Sequence, residues 1–327
     1  MQFPFNVYLL AILGALATAA LTLPLWRYLC VRVGLVDDPG HRKIHEHTIP
    51  LAGGLAVFSG LCLPIVCGVL ALKFHWLEMH STSVLSYGLE RRLPQLCGVI
   101  LGAFGMLLLG LCDDKWELNP AVKFGGQLLI AFAVAASGVR ITLFIPNIIF
   151  SYTVTILWIL TVTNAFNFMD NMNGLCAGLG AISAWYFGLF AAATGQYLVA
   201  IIALLVAGAL TGFLPHNFPK ASAFLGDSGS HLVGYLLAVM AILPHFFTPH
   251  HPRAVAVLTP LFVLAVPLLD LLCVVMIRWR IGKPFYVGDN NHLSHRLVRR
   301  GFSKTHTVLL IWFLAALAGA GAMILSL

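Results

Sequence analysis

Charge is what this sequence has least of. Asp, Glu, Lys and Arg supply 9% of its 327 residues, while apolar side chains supply 60%; a soluble domain carries charge at about a quarter of its positions. That shortage excludes a water-soluble globule and implies an integral membrane protein. Cysteine pairing is missing as well. The seven cysteines lie in or beside apolar runs and none forms a C-x-x-C pair, so they read as small packing residues and not as a disulfide framework or a zinc site. No internal repeat, low-complexity tract or soluble segment interrupts the chain, and residues 1–327 are read as one membrane-embedded domain. The opening "MQFPFN" has no basic residue and so lacks the n-region of a secretory signal. It is expected to lead into a permanent first span with the N-terminus outside.

What is abundant is hydrocarbon in long stretches. A bilayer core of roughly 30 Å needs about 20 helical residues at about 1.5 Å each. Apolar runs of that order cover approximately 7–29, 50–72, 94–112, 121–138, 147–163, 175–193, 197–214, 230–247, 255–277 and 305–326. None alternates as a transmembrane strand would. The expectation is an all-α, multi-pass membrane protein of about ten transmembrane helices.

Counting crossings from an outer N-terminus gives each loop a side. Of the 19 Lys and Arg, only Lys73, Arg91, Arg92, Arg140 and Arg253 then fall outside, which fits the positive-inside rule. The net charge of +7 therefore asks for no nucleic-acid partner; an anionic leaflet and anionic substrates account for it. The acids are less expected. Nine of the 12 share that inner side: Asp37, Asp38, Glu46, Asp113, Asp114, Glu117, Asp170, Asp227 and Asp289. Asp270 sits within the ninth span, and only Glu78 and Glu90 are outside. Solvation alone gives no reason for this bias, since outer loops also face water.

Five inner loops carry the polar chemistry. "DDPGHRKIHEHTIPLAGG" ends in Gly53–Gly54 at a helix start, where bare backbone N–H groups could approach an anion; a basic membrane anchor is the plainer alternative. In "GLCDDKWELNPAVKF", Asp113 and Asp114 close an apolar helix at the end where its dipole disfavours acids, so a cation or proton is expected beside them. In "NAFNFMDNMNGL", Asn164, Asn167, Asp170 and Asn173 recur every three residues and share a helical face. Amide oxygens and carboxylates of this kind bind hydroxyls or ligate hard cations. "PHNFPKASAFLGDSGS" presents Asp227 between glycines, a setting that suits an oxygen ligand for Mg²⁺ with room for phosphate. "RWRIGKPFYVGDNNHLSHRLVRRGFSK" offers His292, His295 and Arg296, too few ligands for a closed metal site but apt for an anionic, hydrogen-bonding substrate. Carboxylates and amides for Mg²⁺, cations for phosphate and a membrane-surface location together suit phosphoryl transfer between a soluble nucleotide and a lipid.

In this order, "RKIH" with "GG", "GLCDD", "NAFNFMD", "FLGDSGS" and "DNNHLSHRL" resemble the polyprenyl-phosphate N-acetylhexosamine-1-phosphate transferases. The resemblance spans residues 37–297. It implies about ten helices in a bacterial cytoplasmic membrane, with the active site on the cytoplasmic face. The implied partners are a UDP-sugar and a polyprenyl phosphate, and the cofactor is Mg²⁺, or Mn²⁺ in its place. By motif position, Asp227 and Asn167 would hold the metal, and Asp113, Asp114 and Asp170 would be the catalytic acids. Lys123 would meet phosphate; Lys43, His45, Asn164, Asn173, His292, His295 and Arg296 would complete the substrate contacts. A homodimer is compatible with the resemblance. Two positions depart from the usual bacterial pattern: Asn173 stands at the second acid of D-G-x-D-G, and Ser294 at the middle histidine of H-x-H-H. The last loop also lacks three consecutive histidines and continues as "RLVRRGFS", which favours UDP-N-acetylglucosamine or a related UDP-N-acetylhexosamine as donor over the phospho-MurNAc-pentapeptide of the translocase branch. A competing class, an ion-coupled transporter, would use Asp270, but such sites lie near the bilayer midplane and the polar groups here gather at one surface.

Overall fold

The computed structural model describes residues 3–37, 48–74, 76, 79–246, 253–282 and 291–326. Each of the ten apolar runs coincides with helix: α1 (Phe5–Val33), α2 (Gly53–Lys73), α3 (Met79–Trp116), α4 (Pro120–Ala136), α5 (Ile148–Met169), α6 (Leu175–Ala193), α7 (Tyr197–Phe213), α8 (Gly226–Met240), the pair α9 (Thr259–Val263) and α10 (Ala265–Arg280), and α12 (Lys304–Ser326). A short α11 (Leu293–Arg299) precedes α12, and a two-stranded antiparallel ribbon pairs β1 (Val36–Asp37) with β2 (Ile49–Pro50).

Seven of these helices are long and apolar enough to cross a bilayer, and the arm Ala254–Val263, which ends in α9, makes an eighth with α10 if the two, bent by 68°, are one span. α4 and α8 have 17 and 15 residues, about 26 and 22 Å at about 1.5 Å per residue, short of a full hydrocarbon thickness. The ends follow local rules. Asn119 caps α4 by accepting the Ala121 N–H at 2.9 Å, with Pro120 at the first helical position. α1 stops at Gly34, whose φ of 66° suits a residue without Cβ.

The short α8 is the axis of the molecule. Every residue of it but Asp227 is buried, and α2, α3, α5 and α6 pack around it. Glycines bring the neighbouring backbones close. A Cβ on Gly54 would sit 2.6 Å from the Gly229 nitrogen, and one on Gly110 would sit 2.3 Å from the Ser228 Cα. Both contacts lie at the first turn of α8, so the fold places that turn tightly between α2 and α3. The outer helices expose Leu10, Leu21, Leu63, Leu129 and Leu157, as a surface solvated by lipid requires.

Candidate active site

The two acids that end α3 have separate partners. Asp114 accepts the backbone N–H of Asp227 on Oδ1 (2.7 Å) and of Ser228 on Oδ2 (3.0 Å). A carboxylate from one helix thereby caps the N-terminus of another, where the dipole favours negative charge. Asp113 is buried, accepts the Leu118 N–H at 2.9 Å and pairs with Lys123 Nζ at 2.5 Å. Lys123 also lies 3.4 Å from Asp227 Oδ2. The cation expected beside the acid pair is thus Lys123 for Asp113, and the N-terminus of α8 for Asp114.

α5 ends where these groups meet. Asn167 Nδ2 donates to Asp227 Oδ1 (2.5 Å) and to Ser230 Oγ (2.9 Å). Asp170 terminates the helix three residues on. Burial, and after it the carboxylates of Asp227 and Asp114, push the Asp170 carboxyl up to about 8; crowded carboxylates of this kind call for a cation or a proton. Asn217 fixes the turn that follows, accepting the Gly174 N–H at 2.7 Å and donating to the Ala223 carbonyl at 2.9 Å. Asn173 donates to the Pro219 carbonyl at 3.2 Å. The result is a cavity of about 320 Å³ lined by Asp37, Leu51, Asn167, Asp170, Asn171, Met172, Asn173, Asn217, Phe224, Gly226 and Asp227. Asp37, Asn171 and Asn217 were not singled out from sequence: Asp37 counted only as one inner acid among nine, and the other two sit inside quoted motifs without a spacing that marks them.

One helical turn below the cavity lies a buried polar layer. Gln127, His231 and Asn164 each stand one turn along the same helix from Lys123, Asp227 and Asn167. Asn164 Nδ2 donates to Gln127 Oε1 (2.8 Å) and to the Leu160 carbonyl (2.8 Å), and Gln127 Nε2 lies 3.3 Å from His231 Nε2. Asn164 therefore belongs to the support of the site and does not line the cavity. Gln127 is a single polar residue in an apolar run, and His231 directly follows the quoted "FLGDSGS" without a spacing that marks it.

The remaining expected residues fall into three groups. Lys43 and His45 lie outside the described residues. Gly53 and Gly54 do not present amides to an anion: their N–H groups donate to the carbonyls of Phe224 (2.9 Å) and Leu225 (3.2 Å), fastening α2 to the loop before α8. His292, His295 and Arg296 sit in and beside α11 and are not among the cavity's lining residues. His292 is buried, with Nδ1 2.7 Å from Asp270 Oδ2. Asp270, the acid a transporter would have needed, is engaged by α11. Burial, then the neighbouring His292 and Arg299, lowers the His295 pKa. Ser294, in place of the usual histidine, is buried and donates to Asn171 Oδ1 at 2.7 Å.

The donor set of the cavity fits a hard divalent ion. Among the described residues its polar lining is carboxylate and amide, with no Cys or His, and the Asp227 carboxylate meets the Asn167 amide. Among the described residues no group of three or more His, Cys, Asp or Glu gathers as a metal cage.

Comparison with known proteins bears on the same residues. The sequence profile of the family described as Glycosyl transferase family 4 matches residues 96–245, from α3 to just beyond α8. The chain is 30% identical to the probable undecaprenyl-phosphate N-acetylglucosaminyl 1-phosphate transferase of Bacillus subtilis, over 96% of this chain and 84% of that protein. It is 34% identical to the decaprenyl-phosphate N-acetylglucosaminephosphotransferase of Mycobacterium tuberculosis, over 96% of this chain and 81% of that protein. It is 26% identical to the undecaprenyl-phosphate alpha-N-acetylglucosaminyl 1-phosphate transferase of Yersinia pestis, over 89% and 77%.

Proposed function

Because this chain belongs to glycosyl transferase family 4, we propose that it transfers N-acetylglucosamine-1-phosphate from a UDP-sugar to undecaprenyl phosphate. An oxygen of the lipid phosphate forms a bond to the sugar-linked phosphorus, the bond from that phosphorus to the bridging oxygen breaks, and UMP departs with the electron pair. The observation that carries the reading is the meeting of Asn167, Asp170 and Asp227 with the Asp113–Lys123 pair at one end of an apolar helix bundle.

Each residue has a task in that reaction. Asp227 and Asn167 would hold Mg²⁺, which when bound offsets charge on the diphosphate. Lys123 offers a cation to a phosphate oxygen, held at the cavity by Asp113 and Asp227. Asp114 keeps Asp227 in place through the first turn of α8. Asp170 stands beside the reacting groups; a phosphate monoester already carries about −1.5 to −2 charge near pH 7, so its oxygen needs orientation more than a strong base. Asn173 offers its amide oxygen to the sugar-nucleotide, its Nδ2 being held by the Pro219 carbonyl, and Asn217 keeps the turn behind it in place.

The reading includes ten crossings, an outer N-terminus and a cytoplasmic site. Cysteines introduced at Asn290 and His250, in a chain whose exposed Cys67 and Cys97 are replaced by Ser, are expected to react from the cytoplasmic and the outer side respectively. Labelling of both from one side contradicts the ten-crossing topology. For the chemistry, purified protein with Mg²⁺, undecaprenyl phosphate and a panel of UDP-sugars is expected to release UMP and form lipid-linked diphosphate-sugar, fastest with UDP-N-acetylglucosamine. Uptake of a solute without UMP release would instead favour transport.

A further inference from the structure

α11 is only seven residues long, too short to be stable through its own hydrogen bonds, yet it is held to two other helical regions. Asp270, buried in α10, uses both oxygens on it: Oδ2 lies 2.7 Å from His292 Nδ1, and Oδ1 accepts the Leu293 N–H at 2.6 Å. Asp270 thus serves α11 as a side-chain cap does, from a different helix. On the other side, Ser294 Oγ donates to Asn171 Oδ1 at 2.7 Å, and Asn171 Nδ2 donates to the Phe168 carbonyl at 2.7 Å. The Phe168 ring receives the His292 ring at 5.7 Å between centroids and the Arg278 guanidinium at 5.0 Å. Phe168 and Asn171 flank Asp170, so the latch that seats α11 closes on the same turn that lines the cavity.

We propose that Asp270 and His292 are positioning residues for the nucleotide-sugar: together they seat α11 against the Phe168–Asn171 turn, so that His295 and Arg296, one turn further along, are presented to the donor. His292 acts through Asp270 and does not itself touch substrate. Its burial supports this, since an imidazole 5% exposed with one nitrogen committed to a carboxylate has little surface left for a ligand. Ser294 belongs to the same latch, where its small hydroxyl reaches Asn171.

This inference rests on the transferase reading, and its test has an arm that does not. Hydrogen–deuterium exchange over residues 291–299 of the full chain is compared with UDP-N-acetylglucosamine and undecaprenyl phosphate kinetics for Asp270→Ala, His292→Ala and His292→Asn. In Asp270→Ala, exchange across α11 should accelerate and the KM for the UDP-sugar should rise about tenfold, the size expected for losing bonds to a charged group, with the lipid KM within about twofold. His292→Asn places an N–H where Nδ1–H stood and should recover the UDP-sugar KM to within about threefold of wild type, whereas His292→Ala should match Asp270→Ala. Unchanged exchange across α11 in Asp270→Ala overturns the latch whatever the kinetics. His292→Asn as impaired as His292→Ala overturns the positioning role and makes the imidazole a substrate contact. An equal rise in both KM values marks general damage and also overturns it. If wild-type protein releases no UMP from any UDP-sugar, the transferase reading fails, and the exchange arm still decides the latch.

Discussion

The two ends of the helix bundle both carry polar residues and both contain cavities, yet they are built differently. At one end Asp114, Asn167, Asn217 and Asp227 bond across helices that are distant in sequence, around a cavity of about 320 Å³ lined with amides and carboxylates. At the other, the contacts are exposed: Arg91 bonds Tyr87 and Arg92 bonds Gln95 within their own helix, and Arg92 lies 3.5 Å from His245; the larger cavity of about 420 Å³ is lined by groups such as Leu10, Leu63, Leu85, Leu198 and Leu205. Size therefore does not locate function here. The larger space opens between lipid-facing helices and offers nothing that could polarise a phosphate. The smaller one is held open by long-range bonds that fix where each oxygen stands.

Substitutions at the two ends should separate by orders of magnitude. Asp227→Asn keeps the shape but removes the charged oxygen of the proposed metal site, and turnover at saturating lipid and donor should fall by about 10³-fold, as for other losses of transition-state charge stabilisation; near-wild-type UMP release in that variant would erase the contrast. Asp114→Ala removes the cap that seats Asp227. It should lower stability by about 1–2 kcal/mol, read from thermal unfolding in detergent, and cut turnover by about 10²-fold through misplacement of the metal ligand. Asn167→Ala removes a neutral ligand only, and should cost about tenfold in turnover with a raised Mg²⁺ requirement. The smallest effect belongs to the far end: Arg91→Ala with Arg92→Ala should leave UMP release within about twofold, because solvent-exposed contacts contribute little. A large loss there would mean that the two ends are coupled.

The sequence made one end of this comparison legible and not the reasons for it. Ten apolar runs announce their helices because hydrocarbon length is a local property. The bend at Leu264 between α9 and α10 was not visible in the run 255–277, since composition does not report where a helix breaks. The series Asn167, Asp170 and Asn173 could be read because residues three apart share a face, and Asp227 because its glycines are adjacent. Asp114 reads from sequence as one of an acid pair; that it also caps α8 is not legible there, because its partners are 113 and 114 residues away and no spacing rule reaches that far. Gly53 and Gly54 suggested an anion site for the same reason in reverse: bare amides were evident, while the carbonyls of Phe224 and Leu225 that take them were not. Asp270 seemed an isolated intramembrane acid until the fold brought His292 and Leu293 to it.

In the proposed mechanism the end holding Asp227 binds a divalent metal together with the nucleotide. Electron paramagnetic resonance of Mn²⁺ in the presence of UMP reads this without turnover. Wild-type protein should bind about one Mn²⁺ per chain when UMP is present, in the oxygen coordination that such ions prefer, and Asp227→Asn should bind none at the same concentrations. Equal Mn²⁺ binding by Asp227→Asn and wild type would contradict the account.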